Sequence, residues 1–280
     1  MSTITISAAE VNKLRQQTGA GMMDCRKALT ESNGDFEAAI DYLRKKGQKV
    51  AANRSDRDAK EGVVIARSNA ENTYGIIVNL SSETDFVAKN ADFIAFANQI
   101  VEIAMSSKVT NVEDLKAQPM EGATVGDKLM ENVAKIGEKI DIIRFEQVTA
   151  PSVVAYIHSG YRIGVLVGMN QPATEELVNA GKDVAMQIAA MNPLAVDSDQ
   201  VSEEMIAREK AIAIDQIMAE GKTGEMAEKI AVGKLNKFFK ENTLLPQAFV
   251  KDNGKTVGDY LGSVSKGLTV VSFKRIAVGG

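Results

Sequence analysis

Two residues carry side chains that often act as nucleophile, base or metal ligand near neutral pH, and each type occurs once. Cys25 lies beside Arg26 and Lys27, whose charges could activate a thiol, but its position within a short helical segment favours a packed side chain. His158 precedes a Ser-Gly turn and has no second histidine with which to bind a metal. The phosphate-binding patterns GxxxxGKS/T and GxGxxG are also missing from the sequence. We therefore predict no catalytic residue, no metal site and no cofactor.

One segment places an aromatic side chain next to an acidic one where the chain is expected to turn at the surface. Residues 81–90, SSETDFVAKN, lie between an apolar run and a helical run. In one interpretation Phe86 packs inward against Phe93 or Ile76 while Asp85 caps a helix; in the other the ring faces outward and binds a partner. The residues alone favour the packed arrangement, because large apolar side chains are more often buried.

The composition excludes several classes of protein. The 280 residues are 45% hydrophobic and 25% charged with a net charge of −4, which is typical of a globular chain of about two domains without a broad basic surface for nucleic acid. No apolar run approaches the roughly 18 residues that a membrane span requires. A single cysteine excludes internal disulfides, and we expect a cytoplasmic protein.

The N-terminal segment is predicted to form three short helices. Ser7 and Glu10 have the spacing of a capping box for the first, and Asp35 is a suitable N-cap for the third. Gly47 is expected to end the third helix. Residues 48–60, which are polar and lack a sustained period, are interpreted as a linker that is helical at most in part.

The remainder of the sequence looks duplicated, with an α+β pattern in each half. Paired features occur in the same order: a β-hairpin at 63–80 and at 153–170, an amphipathic helix after each hairpin, the motif TVGDKL at 124–129 and TVGDYL at 256–261, and a closing strand at 139–148 and at 268–278. Gly75 and Gly164 occupy matching positions in the two hairpins. The sequence therefore predicts two copies of a β-β-α…β unit.

The second copy contains an insertion at about 198–241. Its pattern predicts an antiparallel pair of helices, with Ser202 capping the first and a turn at 220–224. Two helices that project from a sheet have mainly each other to pack against. A second apolar face would then either bind a partner or a second copy of the chain, or pack on the parent domain.

Four segments together resemble the bacterial elongation factor Ts family. They are TGAGMMDCRKAL at 18–29, NGDFEAAIDYLRKKG at 33–47, TDFVAKN at 84–90 and RIGVLV at 162–167. The resemblance runs in order over nearly the whole chain and includes the duplicated core and the inserted helical hairpin. Some relatives continue into a further C-terminal helical module, so contacts made by that module are in doubt here.

The resemblance implies a guanine-nucleotide exchange factor for elongation factor Tu, with no active site of its own. It implies a ubiquitin-associated-like (UBA-like) three-helix module and linker at 1–54 that docks on the GTPase domain. It also implies two related core subdomains at 55–148 and 149–280 that contact the same partner. The inserted hairpin would be a coiled coil or a dimerisation element.

The resemblance also implies which residues contact the partner. It favours an outward-facing Phe86 that binds the partner over the packed arrangement. In the family, the TDFV segment pushes into the GTPase near its magnesium site; here that segment is Thr84, Asp85, Phe86 and Val87.

A second group of contact residues is predicted from position. Met22, Met23 and Asp24 begin the second helix, where Met23 could equally pack in the core or dock on the partner. Arg15 and Arg26 are interpreted as mainly solvated. His158 and Gly160 lie at the turn of the second hairpin, which is a further candidate contact.

Two other classes of function remain open from the residues. An adaptor built around the three-helix module would explain residues 1–47 but would leave the duplicated core and residues 84–87 without a role. An enzyme with its site between the two core copies could use His158, but no second polar partner stands at a recognisable spacing.

Overall fold

The structure is a computed structural model that describes residues 5–54, 56–221 and 224–280. Within those ranges the chain begins with three helices, α1 (Ala8–Thr18), α2 (Met22–Glu31) and α3 (Phe36–Asn53). Leu14, Leu29 and Leu43, one from each helix, belong to the small apolar core that holds the three together. Ser7 and Asp35 cap α1 and α3 as predicted, because each side chain accepts a backbone N–H that the helix leaves unpaired.

The prediction that Gly47 ends the third helix is wrong, because α3 continues to Asn53. Gly47 lies where α3 packs on a later helix. A Cβ atom built on it would stand 2.8 Å from the carbonyl oxygen of Met130 and 3.2 Å from the Cβ of Ala134. The glycine therefore permits close helix packing instead of marking a helix end. The predicted linker at 48–60 shortens to the residues that follow α3.

A three-stranded antiparallel sheet covered by helices follows. In chain order its elements are β1 (Glu61–Ser68), β2 (Tyr74–Ser82), α4 (Asp85–Ala88), α5 (Ala91–Ser107), α6 (Val112–Lys116), β3 (Pro119–Met120), β4 (Ala123–Thr124), α7 (Val125–Ile136) and β5 (Asp141–Thr149). The strand order is β1-β2-β5. Phe93, Phe96 and Ile100 of α5 are buried in the core that lies between the sheet and its helices, as the apolar stripe predicts.

The second half repeats this order of strands. Its elements are β6 (Ser152–His158), β7 (Ile163–Met169), α8 (Glu175–Met191), a single 3-10 turn (Ser198–Gln200), α9 (Glu203–Ala219), α10 (Glu225–Asn242), β8 (Ala248–Phe249), β9 (Asp252–Thr256), α11 (Val257–Val264) and β10 (Val270–Ala277). The closing strand again pairs with the second strand of the hairpin, giving β6-β7-β10. The described chain is thus a mixed α+β fold, and both predicted hairpins and both closing strands are confirmed.

The repeated TVGD motif is a helix start in both halves. Thr124 and Thr256 are the N-caps of α7 and α11, and each forms a capping box with the aspartate three residues later. Val125 and Val257, which follow the caps, are fully buried. The motif therefore fixes the entry of a helix into each core.

The two sheets pack face to face through a separate apolar cluster that includes Val64, Ile77 and Leu166. The matching glycines of the hairpins lie at this contact. A Cβ atom at Gly75 would stand 2.8 Å from Cγ1 of Val153, and one at Gly164 would stand 2.6 Å from Cγ1 of Val64. The glycines therefore allow the sheets to approach closely.

The inserted helices α9 and α10 pack on each other through a small apolar cluster. The predicted helix pair and its Ser202 cap are confirmed, whereas residues 222 and 223 of the predicted turn lie outside the described residues. The buried cluster between the two helices contains Ala213, Ile217, Ala227 and Ala231. Four longer apolar residues of the two helices are instead exposed: Met205, Ile212, Met218 and Met226. Three alanines let the helices approach closely around Ile217, while several longer apolar side chains remain outside the contact.

Candidate functional site

The segment TDFVAKN is held by two N-caps. Thr84 caps the short helix α4, its Oγ1 accepting the Val87 N–H at 3.5 Å. Asn90 caps α5, its Oδ1 accepting the Asp92 N–H at 2.8 Å and the Phe93 N–H at 3.4 Å. The first and last residues of the motif therefore fix the backbone of the residues between them.

Phe86 projects outward from this capped segment. The residue is 83% exposed, the largest exposed fraction among the large apolar residues that the structure describes. The packed interpretation is therefore wrong: Phe93 and Ile76 are buried without Phe86, and Thr84, not Asp85, is the cap. Leaving such a ring in water forgoes roughly 1.5–3 kcal/mol of burial.

Val87 and Ala88 hold the other side of the turn in the core. Ala88 is buried, and Val87 is half-buried against the same apolar cluster as Phe93. A cleft of about 430 Å³ opens beside the exposed ring and is lined by Phe86, Val87, Phe93, Asn132, Lys135 and Ile136, among others. Phe86 thus stands on an anchored turn at the edge of a cleft that is mainly apolar.

Asp85 forms an ion pair within the turn. Its Oδ2 accepts from Nζ of Lys89 at 2.7 Å, one helical turn later. This hydrogen bond and the lysine charge lower the pKa of Asp85. The carboxylate is ionised at neutral pH and still partly exposed, so it can accept a hydrogen bond from another surface.

Two acidic residues that the sequence analysis missed hold the turn from behind. Glu138 accepts hydrogen bonds from the backbone of residues 83 and 84, and Glu83 accepts from Arg54 and from the backbone N–H of Lys139. More than fifty residues separate the segments, and neither acid belongs to a recognisable motif. No signal in a single sequence could have paired them.

The pKa of Glu83 is lowered by opposing effects. Burial alone raises it, but the Lys139 N–H at 2.6 Å, the Arg54 guanidinium at 2.7 Å and the charges of Arg54 and Arg57 outweigh that desolvation. Glu83 therefore stays ionised although its side chain is only 13% exposed.

The predicted contact residues at the start of α2 are largely exposed. Met22 and Met23 have exposed fractions of 59% and 73%, so the alternative of Met23 as a core residue is wrong. Asp24 forms an ion pair with Lys46 of α3. Arg15 and Arg26 are exposed, as predicted. Met22 and Met23 line an apolar groove of about 380 Å³ with Ile6 and Val11.

Lys135 connects these two regions. Its side chain lines the cleft beside Phe86, and a Cβ atom built on Gly19 would stand 3.3 Å from its Cδ. Gly19 ends α1 with a φ of +66° and lies in the turn that precedes α2. The Lys135 side chain therefore lies between the cleft beside Phe86 and that turn.

His158 and Gly160 lie at the end of the second hairpin, as predicted. His158 is half-buried and its Nδ1 lies 2.9 Å from the hydroxyl of Tyr156. Gly160 is exposed, with a φ of +62°. The hairpin end also contacts the first sheet, since the Val64 N–H donates to the Tyr161 carbonyl at 2.8 Å. Hydrogen bonding therefore connects this turn to the first sheet as well as to its own hairpin, and the Tyr156 hydroxyl is the described partner of the histidine ring.

The remaining candidates for chemistry do not form a reactive site. Cys25 is fully buried, and burial raises the pKa of its thiol, as a packed side chain predicts. Among the described residues no three His, Cys, Asp or Glu side chains are grouped to hold a metal ion. Among the same residues no helix is long and apolar enough to cross a bilayer.

Comparison with known proteins gives a consistent result. The family model described as "Elongation factor TS" matches residues 83–280. The chain is 51% identical over 276 residues to elongation factor Ts of Amoebophilus asiaticus (strain 5a2), covering 99% of this chain and 100% of that one. It is 52% identical over 274 residues to that of Christiangramia forsetii and 43% identical over 276 residues to that of Porphyromonas gingivalis, covering 98% of this chain and 99% of each relative. The chain therefore belongs to the elongation factor Ts family.

Proposed function

We propose that this protein is a cytoplasmic guanine-nucleotide exchange factor that binds elongation factor Tu and promotes release of its GDP. Family membership supports this role in translation elongation, which requires no catalytic site, metal or cofactor in this chain. The observation that carries the proposal is Phe86, an 83% exposed residue on a turn that Thr84 caps and that Val87 and Ala88 anchor in the core.

Thr84, Asp85, Phe86 and Val87 disturb the Mg²⁺ and phosphate site of the partner. Thr84 and Val87 hold the turn, Phe86 enters the partner as an apolar wedge, and Asp85 accepts a hydrogen bond at its edge. Because Mg²⁺ is among the strongest local charges in a nucleotide site, shifting its ligands weakens phosphate binding.

The energetics of exchange suit a preformed wedge. A factor that weakens GDP binding is itself weakened by GDP to the same extent, so it must bind the nucleotide-free partner better. A thousandfold change needs about 4 kcal/mol of differential binding. Burial of one phenyl ring supplies roughly 1.5–3 kcal/mol of it, and a fixed turn loses little entropy on binding.

A second contact region docks the N-terminal helices on the GTPase domain. The three helices and the following linker, residues 1–54, form the UBA-like module, and Met22, Met23 and Asp24 are its contact residues. The exposed methionine pair and the groove beside it support this assignment. His158 and Gly160, at the accessible end of the second hairpin, are a further contact.

The rest of the chain is two related core subdomains, residues 55–148 and 149–280. Equal strand orders and the capping boxes at Thr124 and Thr256 support a duplication. The hairpin at about 198–241 is a coiled coil through which two copies of the chain self-associate. Its exposed Ile212, Met218 and Met226 supply apolar surface for that contact.

A release assay tests the function. Elongation factor Tu loaded with fluorescent GDP is mixed with substoichiometric amounts of the protein and excess unlabelled GDP. The proposal predicts many turnovers of accelerated release per molecule of protein. Stoichiometric binding without release would favour an adaptor, and no binding at all would reopen the enzyme hypothesis.

A further inference from the structure

One carboxylate gathers three hydrogen bonds at the base of the exposed turn. The Glu138 Oε2 accepts the backbone N–H groups of Glu83 and Thr84, each at 3.0 Å, and its Oε1 accepts the Thr84 hydroxyl at 2.6 Å. Hydrogen bonds to an ionised acceptor are among the stronger ones in proteins. All three donors belong to the two residues that immediately precede α4.

Glu138 is itself held in place by the end of α7. Gly137 takes a left-handed conformation, with φ of +79°, and its N–H donates to the Val133 carbonyl at 2.8 Å. Gly137 is the C-cap that ends the helix, and the glutamate follows it directly. Leu129 and Val133 bury the same helix in the core, so the carboxylate projects from a rigid support.

The contact between the two segments is reciprocal. The Glu83 Oε1 accepts the Lys139 N–H at 2.6 Å and a guanidinium hydrogen of Arg54 at 2.7 Å. Residues 83 and 84 therefore bond to residues 138 and 139 in both directions. Since Arg54 is the C-cap of α3, the N-terminal helices also meet at this point.

We infer that Glu138 is a positioning residue for nucleotide exchange, which acts by holding Thr84 so that Phe86 is presented in one orientation. The inference rests on the proposed function and extends it to a residue behind the contact surface. Without the carboxylate, three donors lose their partner and the start of α4 is free to move. The wedge would then have to be ordered during the encounter, which lowers the rate of the step it drives.

Two substitutions separate the carboxylate's charge from its shape. Glu138→Ala removes all three acceptor contacts. The loss of one hydrogen bond to a charged group corresponds to about a tenfold effect. We therefore expect kcat for GDP release to fall about tenfold. We expect KM to change less than about threefold, because Met23 and the other docking contacts remain. Glu138→Gln should retain part of the activity, since its amide oxygen can still accept the two backbone N–H groups.

A double-mutant cycle identifies the route of the effect. If Glu138 acts through Phe86, then Glu138→Ala should change release by less than about twofold when it is introduced into Phe86→Ala. General destabilisation would instead lower release by the same factor in both backgrounds. Glu146→Gln is the matched control, because it removes one carboxylate that pairs with Lys274 far from the turn.

Amide hydrogen exchange, measured by NMR on the full chain, reports the same contact directly. We expect the Glu83 and Thr84 amides to exchange at least about tenfold faster in Glu138→Ala while the amides of α5 keep their protection. Unchanged protection, or a full additional loss of release in the Phe86→Ala background, would overturn the positioning role. If Phe86→Ala alone left release unchanged, the proposed wedge would fail instead, so the two failures are distinguishable.

Discussion

At the scale of single residues, most residues of the segment TDFVAKN hold the turn in place, and one is left free to contact a partner. Thr84 and Asn90 cap two helices, Asp85 pairs with Lys89, and the small apolar residues enter the core. Phe86 is left with most of its surface in water. A ring in that position contributes little to the stability of its own fold and much to a contact with another protein.

Met23 should act in docking and not in stability. Replacing it with alanine should raise KM for GDP release about 5- to 20-fold, because the partner contact loses most of a buried methionine side chain. The kcat should stay within about twofold. Thermal unfolding should be nearly unchanged, since the residue is 73% exposed. A lower melting temperature with an unchanged KM would contradict the docking role.

Glu83 should make the free energy of unfolding depend on pH in the acidic range. Its pKa in the folded protein lies below the ordinary value of 4.5, so its contribution is present above about pH 4.5 and disappears as pH falls through the folded pKa. Glu83→Gln should lower the free energy of unfolding by about 2 kcal/mol at pH 7, because the partly buried donors lose a charged acceptor.

Urea unfolding at pH 7, 4 and 3 measures this effect. The difference between wild type and Glu83→Gln should shrink as the pH is lowered below about 4.5. Glu146→Gln, which removes an exposed ion pair, should cost less than about 1 kcal/mol throughout. A difference for Glu83→Gln that is constant over the series would show that its charge is not involved.

At the scale of helices and strands, local signals were predictable and contacts between distant elements were not. The caps at Ser7, Asp35 and Ser202 could be inferred because a cap depends on residues three positions apart. The prediction for Gly47 is wrong because the need for glycine there comes from close packing against Met130, on another helix. The residues next to Phe86 in the sequence do not determine the orientation of its side chain either. Only the family resemblance predicts that the ring faces outward.

Gly47 gives a prediction for the packing of α3 on α7. Gly47→Ala would place a Cβ atom 2.8 Å from a backbone oxygen, so the helices must separate and unfolding should become easier by about 1–3 kcal/mol. Gly233→Ala in α10 is the control, because no atom beyond its chain neighbours and the backbone of its own helix lies within 4 Å of an added Cβ.

The control substitution should act in the opposite direction. Gly233→Ala should stabilise by up to about 1 kcal/mol, as alanine does in an open helix position. Chemical denaturation of both variants measures the two changes. Equal effects in the same direction would contradict the close contact at Gly47.

At the scale of the whole molecule, three packed regions meet around the turn that carries Phe86. The end of α3 reaches it through Arg54, the first sheet leads into it through Glu83, and α7 supports it through Glu138. The inserted hairpin is built differently, since α9 and α10 bury a small cluster only between themselves and keep long apolar side chains exposed.

Removing the hairpin should abolish self-association and spare the rest of the fold. The chain enters and leaves it at adjacent points, where the Leu244 N–H donates to the Ala195 carbonyl at 2.9 Å. Residues 202–241 can therefore be replaced by a short glycine linker. Light scattering should give a dimer mass for the full chain and a monomer mass for the shortened one. A monomeric full chain would contradict the self-association surface.

The most direct test of the wedge is the rate of GDP release with Phe86→Ala, compared with Phe93→Ala. Phe86→Ala should lower kcat/KM by about 10- to 100-fold, corresponding to the lost burial of one ring, and leave thermal unfolding nearly unchanged. Phe93→Ala, the same substitution at a buried site, should cost about 3–5 kcal/mol of stability. Release at the wild-type rate by folded Phe86→Ala, or unfolding of that variant with normal release in its folded fraction, would contradict the wedge.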